Sequence, residues 1–361
     1  MALSPNYGWA EPDNSSLVKN GAQDIRALGD AIDTSVWNVG YGQAGKNKII
    51  NGNFGVWQRG TTFTSIADGA YSADRYITTF NGTGVRSITQ QTFTPATAPV
   101  AGYEGQYFLR IDQTTAGTGA SANRIAQRIE DVRTFAGQTA TFSFWAKAAA
   151  STTLPSLNAI QSFGSGGSGG VSTSITTNIA LTTSWQRFTY TVSIPSITGK
   201  TLGTGSYLEI RFELPLNATS TVDFWGWQLE YGSKATPFQT ATGTIQGELA
   251  ACQRYYLRTT ANATYAYMRF GIGVAAATTL AAVQINLPVT MRGPVTVMGG
   301  SALALYSSGS PIAVTSLSSD QMQGQVIGLQ ANVASGLTTD RAYQLIANNS
   351  STAYLELGAE L

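Results

Sequence analysis

From Lys48 to about Thr240 the chain is a succession of short runs in which apolar and polar residues alternate. Nowhere between these runs does the pattern lengthen to a helical period. In Tyr207-Leu-Glu-Ile-Arg-Phe-Glu-Leu214, Leu208, Ile210, Phe212 and Leu214 would face a core, and Glu209, Arg211 and Glu213 would face out. Thr139-Ala-Thr-Phe-Ser-Phe-Trp-Ala146 alternates in the same way. The expected strands are 49–56, 71–80, 87–92, 107–112, 123–131, 139–146, 186–194, 206–213 and 221–229. So many strands with no helix between them predict two sheets packed face to face, and they give little support to a parallel βαβ architecture.

The stretch Asp223-Phe-Trp-Gly-Trp-Gln-Leu-Glu-Tyr-Gly-Ser-Lys-Ala-Thr-Pro-Phe238 reads as a buried strand with a sharp exit at Gly232-Ser233 and Pro237. Neighbours in a strand point to opposite faces, so Phe224 and Trp225 separate, and Trp225 and Trp227 share a face. That face is core, a shallow aromatic platform, or a contact between subunits.

Composition narrows the chemistry. Hydrophobic residues make up 43% of the 361 and charged residues only 11%, against roughly 25% in an ordinary soluble domain. The chain holds 39 Gly, which suits tight turns, and such a low-charge surface suits burial in an assembly. Net charge is +1 and basic residues are scattered singly, so no nucleic-acid partner is expected. With no His, the commonest general base and metal ligand are missing. Cys252 is the single Cys; it excludes an intrachain disulfide or thiolate cluster and reads as a small buried residue. The start of the chain lacks the basic and apolar regions of a signal peptide, and no apolar run approaches the ~20 residues of a membrane span. A protein made in a cytosol, without membrane insertion, is expected.

Ahead of the β region, Val18, Ala22, Ile25, Leu28 and Ile32 make an apolar stripe at three- and four-residue spacing, which predicts a helix over 16–33 capped by Ser15 or Ser16. So short a helix is marginal alone, and its stripe needs a partner: its own domain, two further copies around an axis, or a larger structure. A Gly-rich joint at 38–47 closes this first segment, 1–46. A second joint at 241–250, helical in character over Ile245–Cys252, precedes a further β region to the C-terminus, so the units are 47–240 and 241–361, the last a smaller β-sandwich closed by a strand at 353–357. The run Ser162-Phe-Gly-Ser-Gly-Gly-Ser-Gly-Gly170 lacks the Gly-Lys-Ser/Thr of a phosphate loop and reads as a flexible hairpin tip.

Several stretches resemble, in order, the carbohydrate-binding-module-like jelly roll of bacteriophage tail-fibre proteins. They are Asn47-Lys-Ile-Ile-Asn-Gly-Asn-Phe-Gly-Val-Trp-Gln-Arg-Gly60, Tyr71-Ser-Ala-Asp-Arg-Tyr76, Ile125–Val132, Phe142–Lys147, Trp185–Phe188 and Gln228–Phe238. Cys252-Gln-Arg-Tyr-Tyr256 and Met291-Arg-Gly-Pro294 resemble the distal domain of such fibres, and the helix resembles an attachment segment. The resemblance spans about 47–300. It implies a jelly-roll sandwich in a virion protein, often trimeric, held to the particle through residues 1–46. It names no glycan. Sandwiches of this type often carry a structural Ca²⁺, for which no ligand cluster stands out here; no other cofactor is required.

Sugar-stacking candidates are Trp57, Trp145, Trp185, Trp225 and Trp227, since a sugar's C–H face packs on an exposed ring. The competing reading is that strand Trp is core. Arg59 can bond hydroxyls. Asp74 and Arg75, between Tyr71 and Tyr76, serve a ligand or a cross-strand ion pair. Tyr255 and Tyr256, with Tyr265 and Tyr267, form a distal set suited to a receptor surface or a subunit seam. Glu130-Asp131 and Glu209/Glu213 suggest a glycosidase pair, but Glu209 and Glu213 lie about 13 Å apart along a strand, beyond the roughly 5–10 Å needed. The expectation is a non-enzymatic virion fibre protein that attaches to a host-surface glycan. Its alternatives are a structural head fibre or decoration protein, and a polysaccharide depolymerase, which would call for a β-helical repeat that is not seen.

Overall fold

The computed structural model describes residues 2–4, 9–11, 17, 20–39, 45–100 and 102–361. It is mainly β, as expected. Two short strands, β1 (Ala2–Leu3) and β2 (Ala10–Glu11), pair ahead of helix α1 (Gly21–Val39). The helix starts later than the spacing predicts. Ser15, Ser16 and Val18 lie outside the described residues. Ile25 and Ile32 of the stripe are 66% and 38% exposed, so a single chain leaves that face open.

The sandwich is built from β3 (Thr62–Phe63), β4 (Tyr76–Phe80), β5 (Val85–Thr92), β6 (Tyr107–Thr115), β7 (Asn123–Glu130), β8 (Thr139–Ala148), β9 (Thr152–Ser162), β10 (Val171–Leu181), β11 (Gln186–Ser193), β12 (Tyr207–Glu213) and β13 (Ser220–Tyr231). One sheet has the order β10-β9-β12-β7-β4, the other β11-β8-β13-β6-β5-β3, and every pairing is antiparallel. The chain crosses repeatedly between the sheets, and the inward rows of both, among them Leu208, Ile210, Phe212, Phe142, Phe144 and Trp227, form one core.

Three local readings are corrected. The expected strand 49–56 is a series of turns, because Asn51 and Phe54 take φ of 59° and 53° and Gly52 lies against the Trp227 carbonyl. The expected strand 71–80 begins only at Tyr76, since Arg75 has φ 77°. The hairpin tip at 162–170 was expected, but the strands β9 and β10 that flank it were not: their outward residues are Ser, Thr and Asn, and Pro155 and the glycines after it mask the alternation. The Gly-rich tip is tied to the loop 201–205, with Ser165 bridged to Thr204 and Gly167 and Gly203 in backbone contact.

Helix α2 (Ile245–Gln253) joins the sandwich to the distal unit. Thr244 caps it by accepting from Gly247 N–H at 3.0 Å. Buried Glu248 accepts from the backbone N–H groups of Asn51 and Thr242, both at 2.7 Å, and so ties the helix to the start of the sandwich. The distal strands are β14 (Tyr256–Thr260), β15 (Arg269–Ala277), β16 (Leu280–Asn286), β17 (Thr296–Ser301), β18 (Leu303–Tyr306), β19 (Ile312–Gln323), β20 (Val326–Val333), β21 (Ala342–Ala347) and β22 (Tyr354–Gly358). Six of them close a barrel, β15-β16-β20-β19-β18-β21, rather than leaving two open sheets. The three-stranded sheet β14-β22-β17 shares its core through Leu257, Leu355 and Leu357.

Candidate functional site

Of the aromatic candidates of the sandwich, Trp145, Trp225 and Trp227 are held inside, and Trp57 and Trp185 are half-buried. Trp225 and Trp227 are fully buried, on opposite faces, which corrects the expectation of a shared one. At Gly226 (φ 65°) the ladder between β13 and β8 slips, so Gly226 and Trp227 lie opposite one residue, Phe144. Trp227 enters the main core. Trp225 joins Trp145, Phe93, Phe108 and Phe238 in a second cluster on the outer side of the six-stranded sheet. Trp185 is half-buried against Phe93 and Phe108. Half-buried Trp57 donates Nε1–H to the Phe54 carbonyl at 2.7 Å and stacks on Phe63.

The second cluster is roofed by the chain that leaves β13. Gln228 and Glu230, buried on the outer face, capture that chain as it returns. Glu230 accepts from the Thr236 amide at 2.8 Å, from the Thr236 hydroxyl at 2.7 Å and from Gln228 Nε2 at 2.8 Å. Gln228 Oε1 accepts from the Gln239 amide at 2.8 Å. Phe238 then packs on Trp225, ring centres 4.7 Å apart.

Arg59, Asp74, Tyr255 and Tyr256 are brought together, but in a seam between sandwich and distal unit rather than on a free surface. Arg59 lies 3.4 Å from the Tyr256 ring centre, and Arg75 the same distance from that of Tyr255. Glu360 pairs with both guanidiniums, at 2.8 Å to Arg59 and in contact with Arg75. Arg292 donates to the Ala359 and Glu360 carbonyls at 3.0 and 3.1 Å. Tyr71 and Arg128 donate to the Leu361 carbonyl. Arg254 and the Tyr255 hydroxyl reach Glu130 at 3.1 and 2.9 Å. Burial pushes the Asp74 carboxyl above its ordinary range, against the pull of Arg59 and Gln58. Burial, helped by Glu360, pushes the Tyr71 phenol up to about 12. Asp74 is 1% exposed and Tyr255 and Tyr256 are 4% and 2%, so these side chains close a joint. Tyr265 and Tyr267 remain outside, 61% and 54% exposed.

One polar surface of the sandwich is the outer face of the five-stranded sheet. With Leu208, Ile210 and Phe212 in the core, Glu209, Arg211 and Glu213 of β12 point out, as the alternation predicts. The register sets Arg128 and Ile160 on either side of Glu209, Ala126 and Asn158 beside Arg211, and Arg124 and Ser156 beside Glu213. Ion pairs run along these rows: Arg124 to Glu213 at 2.9 Å, Arg128 to Glu209 at 3.1 Å, Arg211 to Glu213 at 3.1 Å. Arg128 also lies 4.6 Å from the Tyr207 ring centre. Three guanidiniums, two carboxylates and an amide thus share one band, in which Glu209 is buried, Arg128 also bonds the Leu361 carbonyl, and the others are part-exposed. Sequence reasoning found its central strand and β7 but not β9, and could not set them side by side, because only pairing of distant segments brings Arg124, Arg128 and Asn158 alongside.

Cys252 is buried, and burial pushes its thiol well above the ordinary range. Among the described residues no three Asp, Glu or Cys side chains converge as cation ligands, and no helix is long and apolar enough to cross a membrane.

No family model matches this chain, and no curated protein does. Among solved structures, the enzymatically active domain of tailspike protein 4 of bacteriophage CBA120 aligns with 47% of the chain at 19% identity and a TM-score of 0.32. The chain spans only 21% of that domain's length. A CBM4 structure aligns with 50% of this chain and 98% of its own, at 21% identity and a TM-score of 0.29. A family 11 carbohydrate-binding module from Clostridium thermocellum, in complex with a mixed-linked tetrasaccharide, aligns with 48% and 98%, at 12% identity and a TM-score of 0.29. Likenesses this slight carry no argument.

Proposed function

We propose that this chain is a non-catalytic virion fibre protein, made in the host cytoplasm and displayed on the particle, that attaches to a host-surface glycan through the outer face of the five-stranded sheet. The observation that carries the reading is the register around Arg211. It gathers donors and acceptors of both charge signs with the amide of Asn158 on one band, and a hydroxyl-rich ligand needs both kinds of partner. Each glutamate of the band is ion-paired to an arginine, which suits binding better than proton transfer. Without His, and with Cys252 buried, the chain lacks a His base and an accessible thiolate. Helix α1 then serves the particle: its open stripe at Ile25 and Ile32 bundles three copies or docks on another virion protein, and several copies give avidity.

The test is binding of labelled protein to host cells with and without periodate oxidation of surface sugars. Periodate-sensitive binding that falls at least tenfold in Arg211→Ala and Asn158→Ala variants is the expected result. Equal binding by those variants would move the site elsewhere.

A purely structural role, as head fibre or decoration, is the second reading. It is favoured by the burial of Trp225, Trp227, Tyr255 and Tyr256 inside the molecule. Correctly assembled protein that binds no cells would select it. Depolymerisation of host capsule or exopolysaccharide would displace both.

A further inference from the structure

On the outer face of the distal barrel the register sets Tyr306 opposite Gln344, Gln344 opposite Ile272, Ile272 opposite Gln284, and Gln284 opposite Gly328. One row therefore crosses five strands, about 19 Å at ~4.8 Å per strand. Beside it, Val274 lies between Ala342 and Ala282. Ile272 and Val274 are 65% and 47% exposed, while their neighbours are amides or very small residues, so the floor is low and uncharged. The rim comes from β19, where the ladder slips between Ser319 and Met322 and brings Asp320 and Gln321 beside Gly328; a Cβ on Gly328 would sit 3.5 Å from the Gln321 carbonyl. The result is a trough of about 1270 Å³, larger than the roughly 300–1,000 Å³ of a small-molecule pocket. Past Tyr306 and Gln344 it runs into a second depression of about 360 Å³ that carries Tyr267 and Arg269.

We infer that this trough binds a neutral polysaccharide, as a second site separate from the charged band of the sandwich. Its charge pattern selects the class. Asp320 is the one acidic residue of its lining, and Arg269, in the adjoining depression, is already bonded to Gln344 Oε1 at 2.7 Å. An anionic or cationic chain would find too few opposite charges. Glutamine amides offer a donor and an acceptor to each hydroxyl pair. The half-buried Tyr306 ring, and exposed Tyr267 in the adjoining depression, can pack on C–H faces of sugars with little loss of side-chain freedom. The length, and the continuation past Tyr306 and Gln344, suit a chain rather than a compact ligand.

The experiment presents the full chain to immobilised dextran, mannan and galactan, with alginate and polygalacturonate as anionic controls. It uses a Gln284→Ala/Gln344→Ala double variant, Tyr306→Ala, and Arg211→Ala in the sandwich. The expected result is retention on at least one neutral polymer, weakened at least tenfold by the trough variants both alone and in the Arg211→Ala background. Retention lost only in Arg211→Ala would overturn this inference and leave the sandwich reading standing. Retention on the anionic polymers alone, or on none, would overturn it as well. So would a fall in solution mass of the Val274→Asp variant, which would make the trough a contact between copies.

Discussion

At Gly226 the backbone takes φ 65°, and a Cβ there would come within 2.6 Å of Trp145 Cε3. That residue lets the strand put Phe224 and Trp227 into one core and Trp225 into another. A Gly226→Ala variant meets both the left-handed backbone cost and overpacking against Trp145, so a loss of roughly 2–4 kcal/mol is expected. Urea unfolding monitored by tryptophan emission measures it, and a loss below about 1 kcal/mol would count against the bulge. The Gly in Phe-Trp-Gly-Trp was visible in the sequence. Its effect on facing was not, because strict alternation fails wherever two residues oppose one.

The return segment after β13 shows what a whole element gains from one buried carboxylate. Glu230 is fully buried and holds the amide and hydroxyl of Thr236, with Lys46 at 3.5 Å. Removing it leaves those donors unsatisfied beneath the roof of the second aromatic cluster. A Glu230→Ala variant is expected to lose on the order of 2–4 kcal/mol and to shift tryptophan emission to the red as Trp145 and Trp225 meet water. An unshifted spectrum would mean that Phe238 and its neighbours stay in place without the carboxylate. The same reasoning explains why the stretches that carry the resemblance read so clearly. Asn47, Gln228 and Glu230 bond backbone at crossing points, Asp74 and Arg75 close the seam, and Arg292 holds the carbonyls of 359 and 360. These words record how the fold is tied, and so they speak less directly of a ligand.

At the scale of the molecule, the seam couples sandwich and distal unit through Glu360. Arg75 is 1% exposed, and Glu360 is its carboxylate partner. Breaking a buried pair from one side costs about 3–5 kcal/mol. A Glu360→Ala variant is therefore expected to split one calorimetric transition into two, the distal unit and the sandwich melting apart. A single transition at an unchanged temperature would show that the seam contributes little. The seam also sets an alkaline limit. The neutral Tyr71 phenol is favoured in the folded protein, its pKa raised from 10.0 to about 12 by burial and then by Glu360. Its contribution is therefore whole below pH 10 and declines as pH rises toward 12. Denaturation midpoints measured between pH 9 and 12 should fall across that window, and less steeply in a Tyr71→Phe variant.

Alternation along single strands was enough to determine the mainly β fold and the outward Glu209, Arg211 and Glu213, and residue type alone pointed to the buried Cys252, because each depends on local period or composition. The tertiary structure decided the rest. Which tryptophans face out depends on a bulge, the fate of Arg59, Asp74, Tyr255 and Tyr256 depends on a partner segment some 300 residues downstream of Arg59, and the polar band and the distal trough exist only once distant strands have paired in register. Those are long-range contacts, and no local pattern in the chain encodes them.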